Sequence, residues 1–172
     1  MSRFSIRLAR PEDAEAFPVV EEDAASLLRE EPGLEGIPLP PAESADHYRR
    51  LIAKGHCLCA IEGGELAGFA AAERIRRELH LHELSVRRIS QEKGIASTLL
   101  RALFIDARNC GLSAITLNTF RDISFNAPFY EKRGFTEIVD VYDRPYLAER
   151  MKAAQNLGIP PESRIAMIRF LS

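Results

Sequence analysis

The 172 residues carry 23 basic and 25 acidic side chains, a formal net charge of −2, so charge makes no case for a nucleic acid or an anionic membrane as partner. Apolar residues are 46% and charged residues 28% of the chain, ordinary for a soluble globular protein long enough to bury roughly 70% of its unfolded surface. No apolar run approaches the roughly 20 residues that span a bilayer. The opening "MSRFSIRLARPEDAEAF" lacks the apolar core of a signal peptide. Cys57, Cys59 and Cys110 are odd in number and form no CxxC pair. A reduced, cytoplasmic setting with buried thiols and no metal site is expected.

Phe4–Leu8 alternates apolar and polar residues, which predicts a first strand with one buried face. Residues 11–28 carry helical spacing, with acidic residues early in the run where the helix dipole favours them. The stretch "EEPGLEGIPLPPAE" must be an irregular loop, and a short helix is predicted over 42–54. Two apolar runs, 57–62 and 66–73, flank Gly63-Gly64 and predict a hairpin, followed by a strand over 79–86. A long helix is predicted over 94–109, with Ile95, Leu99, Leu103 and Ala107 as its buried stripe and Gly111 ending it. "SAITLNTF" predicts a central strand, 126–132 a short helix closed by Gly134, and 135–141 another strand. Pro145–Asn156 and Arg164–Phe170 predict a last helix and a last strand. No linker or repeat divides the chain, and the pattern is α/β, with a mixed sheet covered by helices.

The turn "SQEKGIAST" opens the long helix with almost no side chains at its centre. The first N–H groups of a helix lack intrahelical partners and carry partial positive charge. Small residues there let an anion approach the backbone. Gly94, Ala96 and Ser97 fit that description, and Gln91 and Lys93 add a donor and a charge. The spacing is neither a P-loop nor a dinucleotide fingerprint. Taken alone, the turn is either an ordinary strand-to-helix connection or a seat for phosphate. A second stretch, "NAPFYEKRGF", centres Tyr130 on a short helix. Its phenol is either a core ring or a proton donor to a leaving group such as a thiolate.

In this order, the two stretches resemble the GNAT superfamily of N-acetyltransferases. Gln91-Glu92-Lys93-Gly94-Ile95-Ala96 matches the acyl-CoA motif [QR]xxGx[GA] at every fixed position, and Tyr130-Glu131-Lys132-Arg133-Gly134-Phe135 matches the later tyrosine-to-Gly-Phe motif. "LNTFRDISFNAPFYEKRGF" and "NLGIPPESRIAMIRFL" resemble a bacterial branch with a TFxxxxxNxPFY segment. Ser124 and Phe125 stand where that branch has proline and tryptophan, a departure that bears on the shape of the acceptor pocket.

The resemblance implies a mixed, mostly antiparallel sheet flanked by helices and splayed between its fourth and fifth strands. It implies a single domain over 1–172: an acyl-CoA core of about 57–141, a variable acceptor region of about 11–55, and a C-terminal helix and strand of about 145–171. It implies an acetyl-CoA-dependent N-acetyltransferase acting by direct attack of an amine. Coenzyme A pyrophosphate would meet Gln91, Glu92, Lys93, Gly94, Ile95, Ala96 and Ser97. The pantetheine arm would pair with the main chain of Leu84, Ser85 and Val86 and pass near Asn126. Tyr130 would protonate the leaving thiolate and Glu83 would act as general base, with His80 and His82 as alternative bases. By simple alternation Glu83 shares a face with Leu79, Leu81 and Ser85, unless a bulge turns it.

Glu21, Glu22 and Asp23 are candidates for attracting a cationic amine and Phe17 for lining its pocket. The acceptor is expected to be a small-molecule or peptide amine. A second functional class stays open: a domain that binds acyl-CoA as a sensor or interaction module without turnover. The tail over 145–171 could form a homodimer surface or complete the sheet.

Overall fold

The computed structural model describes residues 3–171. Its strands are β1 (Phe4–Leu8), β2 (Leu58–Glu62), β3 (Glu65–Ile75), β4 (Glu78–Val86), β5 (Ala114–Phe120), β6 (Thr136–Ile138) and β7 (Arg164–Phe170). Its α-helices are α1 (Phe17–Arg29), α2 (Ala45–Ala53), α3 (Ile95–Asn109), α4 (Ala127–Glu131) and α5 (Pro145–Asn156). The strands form one sheet in the order β1-β2-β3-β4-β5-β7-β6. Every neighbouring pair is antiparallel except β4–β5, which is parallel. That parallel ladder runs only from Glu78↔Ala114 to Leu81↔Leu117. Both strands continue beyond it without pairing to each other, so the sheet opens between them, as the resemblance implied.

One face of the sheet packs on α3. Ile95, Leu99, Leu103 and Ala107, the predicted stripe, join Leu79, Leu81, Val86, Ile115, Leu117 and Met167 in one core. Complete burial of Leu99 and of Leu103 stabilises the fold by about 1.5–3 kcal/mol each relative to exposure. On the other face, Phe17 and Val20 of α1 and Tyr48, Leu51 and Ile52 of α2 cover Phe69 and Ala71 of β3. A third cluster joins Phe120 at the end of β5 to Leu34, Ile123, Ala154 and Ile159.

A bulge decides which face Glu83 occupies. Ala71 pairs with Glu83 and Ala72 with Leu81, so His82 is an extra residue on β4. One inserted residue turns the side chains beyond it over to the opposite face. Val86 therefore lies in the α3 core, with Leu84 packed against it, while Glu83 and Ser85 face the α1–α2 side.

Several predicted boundaries shift for local reasons. The run over 11–28 divides into a 3-10 turn, Pro11–Glu15, and α1, because Pro18 has no N–H to continue a helix and sits in the first turn of a new one. The second helix starts at Ala45 rather than 42, where Ser44 Oγ accepts from His47 N at 3.1 Å. The strand expected over 135–141 is only Thr136–Ile138, since the chain then turns at Asp140, whose carboxylate accepts from Tyr142 N at 2.9 Å. Gly111 ends α3 as expected, at φ +70°. The tail completes the sheet: β7 lies between β5 and β6. Among the described residues no helix is long and apolar enough to cross a membrane.

Candidate active site

The opening between β4 and β5 is bordered by the turn that starts α3. The first intrahelical bond there runs from Thr98 N to Gly94 O at 3.0 Å, so the N–H groups of Ile95, Ala96 and Ser97 precede any i→i−4 partner. Gly94 adopts φ +81°, and a Cβ built on it meets no atom within 4 Å: the space above the turn is open. Glu92 also has a positive φ, +63°, an uncommon state for a non-glycine residue. Gln91 closes the turn from below, donating its side-chain amide to Val86 O at 2.8 Å. Lys93 donates to Glu62 at 2.8 Å, and Ser90 Oγ donates to the same carboxylate at 2.7 Å. The side chains of Gln91 and Lys93 thus fix the turn, while the first backbone N–H groups of α3 have no intrahelical partner. A groove of about 160 Å³ lies over it, lined by Val86, Gln91, Gly94, Ala96, Ser97 and Phe129.

Along β4, Leu84, Ser85 and Val86 pair with β3 on one edge and lie past the last β4–β5 pair on the other. Across the opening, Asn126 Oδ1 accepts from Thr119 Oγ1 at 2.8 Å, while its Nδ2 is buried with no partner. An unsatisfied buried amide costs about 1–3 kcal/mol, which a ligand accepting from Nδ2 removes. An open glycine turn, free helix-start N–H groups, an unpaired strand edge and an orphaned amide together fit the pyrophosphate and amide-bearing arm of coenzyme A.

A wider cleft of about 730 Å³ adjoins the turn at Ser97. Arg101, Arg108, Lys132, Arg133 and Arg169 line it, with no acidic residue. Arg133 donates to Ser97 Oγ at 2.6 Å and stacks over Phe129, its Cζ 3.7 Å from the ring centre.

Tyr130 lies on α4, buried, its ring edge-on to Phe129 and Phe135. Burial raises its phenol pKa, and the charge of Glu83 raises it further. The phenol therefore stays protonated near neutrality and shares electrostatic surroundings with the β4 carboxylate. Burial also raises the Glu83 pKa, against the lowering effect of the Ser85 hydroxyl, the Arg164 charge and the Leu84 N–H. Ser85 Oγ donates to Glu83 Oε1 at 2.9 Å.

The acceptor candidates on α1 separate. Glu21 is buried and reaches the site: its pKa rises to about 7, through burial first and the Glu83 charge second. The Tyr48 hydroxyl and Glu43 N both donate to its Oε1. Glu22 instead pairs with Arg29, and Asp23 accepts from Arg88 N at 2.8 Å, fastening α1 to the end of β4. Phe17 is fully buried and stacked on Phe69 with ring centres 4.0 Å apart. It is core rather than pocket lining, because it begins the buried stripe of α1.

The alternative bases are also placed elsewhere. His80 is buried with Nδ1 3.0 Å from Thr116 Oγ1, and burial holds its pKa well below the usual value. His82 has Nε2 2.6 Å from Glu73 and a pKa lowered to about 4, mainly by burial. Both rings are neutral near pH 7 and already engaged, His80 with Thr116 and His82 with Glu73.

Sequence pattern does not single out Asn118, Tyr48 or Arg164, which the fold brings to this side of the sheet. Asn118 lies on β5 just past the last β4–β5 pair, and both polar atoms of its amide are buried without partners. A lone asparagine inside the apolar strand "SAITLNTF" was the available signal. Tyr48 sits on the buried face of α2, where it reads as core. Arg164 opens β7, stacked over Phe120 with Cζ 4.7 Å from the ring centre. For a metal, the group found among the described residues is His56, Asp106 and Cys110, whose ligand atoms lie within 4.8 Å of one another. It stands at the far end of α3 from Gly94, and Asp106 already holds His56 Nδ1 at 2.7 Å.

The fold is shared with solved acetyltransferases. PaiA N-acetyltransferase from Thermoplasma acidophilum, solved with coenzyme A, superposes with a TM-score of 0.69 at 19% identity, covering 98% of this chain and 99% of that one. A ribosomal-protein alanine N-acetyltransferase from Escherichia coli gives 0.69 at 18% identity, covering 99% and 95%. N-acetylglutamate synthase from Neisseria gonorrhoeae, solved with coenzyme A and N-acetyl-glutamate, gives 0.70 at 20% identity, covering all of this chain and 36% of that one. The profile of the acetyltransferase (GNAT) family matches residues 22–135, from α1 through the Gly-Phe that follows α4. That match spans well over half the sequence: the chain belongs to the acetyltransferase (GNAT) family, transferases that use acetyl-CoA as cosubstrate.

Proposed function

We propose that the protein is an N-acetyltransferase that moves an acetyl group from acetyl-CoA to an amine by direct attack, with Glu83 as general base and Tyr130 as general acid. The observation that carries this reading is the opening of the sheet past Leu81↔Leu117, where the bulge in β4 brings Glu83 to the acceptor side beside an unpaired strand edge; the Glu83 charge also raises the pKa of the Tyr130 phenol. A base and an acid on either side of one gap suit a reaction that removes a proton from a nucleophile and delivers one to a leaving group.

Acetyl-CoA, when bound, supplies the acetyl group as a reactive thioester. In this reading the N–H groups of Ile95, Ala96 and Ser97 hold its pyrophosphate, and the basic cleft beside Ser97 takes the phosphorylated adenosine end. The main chain of Leu84, Ser85 and Val86 and the Asn126 amide hold the pantetheine arm. Glu83 accepts a proton from the ammonium form of the acceptor, directly or through a water. Ser85 keeps the carboxylate oriented. A main-chain N–H near Leu84 stabilises the negative charge that develops on the carbonyl oxygen. As the tetrahedral adduct collapses, its C–S bond breaks and its nitrogen gives up its second proton to solvent. Tyr130 donates its phenolic proton to the departing sulfur, and solvent restores the phenol. The acceptor enters from the side of α1 and α2. The acyl-CoA core lies at about 57–141, and the TFxxxxxNxPFY segment marks the branch of the family.

The test is release of free coenzyme A thiol from acetyl-CoA with a panel of amines, for wild type and Tyr130→Phe. Amine-dependent release that falls about 10²–10⁴-fold in the variant supports the assignment. Coenzyme A binding without release for any amine would favour a sensor.

A further inference from the structure

Arg164 and Asn118 present unused hydrogen-bonding capacity on the acceptor side of the sheet. Arg164 pairs with Phe120 across β5–β7, and Asn118 pairs with Ala166. The two side chains therefore project from the same face on diagonal positions, about 7–8 Å apart and within reach of a long side chain. That face is opposite the α3 core, because the alternating residues Ile115, Leu117, Ile165 and Met167 belong to that core. It is the face to which the β4 bulge turns Glu83.

Arg164 is half-buried, and among the described residues no carboxylate oxygen lies within 4.0 Å of its guanidinium. Its guanidinium lies over the Phe120 ring, and the Glu83 charge bears on it from the same side. By contrast, Arg144 is fastened to Glu78 and Arg121 to Glu137. The Asn118 amide is likewise without a donor or acceptor on either polar atom. Buried polar groups are normally paired, and a guanidinium beside an amide is suited to a planar anion that takes one hydrogen bond from each. Glu83 and Glu21 stand on the same side with the opposite charge. The site therefore has an anionic end and a cationic end.

We propose that the acceptor is a free amino acid, its amine directed to Glu83 and Glu21 and its carboxylate held by Arg164 and Asn118. The proposal rests on the transferase reading above and narrows its substrate. A purely cationic acceptor such as a polyamine would bring Arg164 no anionic partner and would place positive charge beside it. A free amino acid pairs both ends.

The experiment measures thiol release from acetyl-CoA with the free amino acids, their methyl esters and amides, and the corresponding decarboxylated amines. Binding of acetyl-CoA is followed separately by thermal shift. The expected result is at least one free amino acid acetylated with kcat/KM ten-fold or more above its ester, amide and decarboxylated amine. Arg164→Gln should then raise KM for that amino acid 10–100-fold while leaving the acetyl-CoA shift unchanged. Asn118→Asp, nearly isosteric and placing a like charge beside the carboxylate, should raise KM in the same direction. Equal or better transfer to the esters, amides or decarboxylated amines overturns the inference, as does an Arg164→Gln enzyme with unaltered KM. Acetyl-CoA binding with no transfer to any free amino acid overturns it and leaves the coenzyme site standing. Absence of acetyl-CoA binding removes both readings.

Discussion

The Glu21 carboxyl on α1 and the Glu83 carboxylate on β4 share one partly desolvated space, and the charge of Glu83 adds to burial in raising the Glu21 pKa to about 7. Two acids so placed titrate as a pair, and the ionised pair attracts a cationic amine. Under the mechanism proposed, kcat/KM rises with pH through about 7 as the pair loses its protons. Glu21→Gln removes one charge, which lowers the pKa of Glu83 and moves the acidic limb to lower pH. A pH–rate profile of both proteins checks this. An unmoved limb would separate Glu21 from the catalytic base.

The same raised pKa makes a stability prediction. The folded state holds the Glu21 proton more tightly than the unfolded chain does. The associated stability is fully present below the unfolded pKa near 4.5 and is lost as pH rises toward 7. Glu21→Gln cannot ionise, yet keeps an oxygen to accept from Tyr48 and Glu43. It should be the more stable protein at pH 8, by on the order of 2 kcal/mol, and its advantage should disappear at pH 4. Urea unfolding at the two pH values measures the difference.

Glu83→Gln should fold and bind acetyl-CoA but lose about 10²–10⁴-fold in kcat. The loss should be smaller at high pH, where free amine is already abundant. Quench-flow or steady-state thiol release between pH 6 and 9 would show this. A pH-independent loss would mean that Glu83 positions the acceptor without taking its proton.

Gly68 controls how closely β3, β4 and α3 approach. A Cβ there would lie 2.8 Å from Ser85 O, 3.0 Å from Val86 Cγ2 and 3.2 Å from Ile95 Cγ2. The first of these is backbone and cannot swing away. Gly68→Ala should destabilise by about 1–3 kcal/mol, and should weaken coenzyme A binding by pushing the strand end from the helix start. Calorimetric titration beside denaturant unfolding tests the two effects separately.

Much of the framework is legible because local chemistry agrees with the fold. The Gly63-Gly64 hairpin, the ending of α3 at Gly111 and the buried stripe from Ile95 to Ala107 all follow from turn residues and periodicity. The open turn at Gly94 is legible for the same reason: it is a contiguous stretch whose shape lies in its backbone. The acceptor side is less so, because its groups come from separate elements. Glu21 occupies the fourth position after Phe17 on the buried stripe of α1, a signal that its acidity obscured. The orientation of Glu83 depends on a pairing shift with β3 that no periodicity within β4 records. Arg164 and Asn118 acquire meaning only when β7 enters beside β5.

Thermal unfolding with acetyl-CoA, coenzyme A and ATP tests whether the turn at Gly94 binds coenzyme A. A ligand that binds only the native state stabilises it by about 2.7 kcal/mol at a hundred-fold excess over Kd. The melting temperature should rise with both coenzyme A species and not with ATP, and the rise should be lost in Gly94→Glu. That substitution fills the open space with a carboxylate and strains a left-handed turn. No shift in the wild type at millimolar coenzyme A, or an undiminished shift in Gly94→Glu, would contradict binding at the turn.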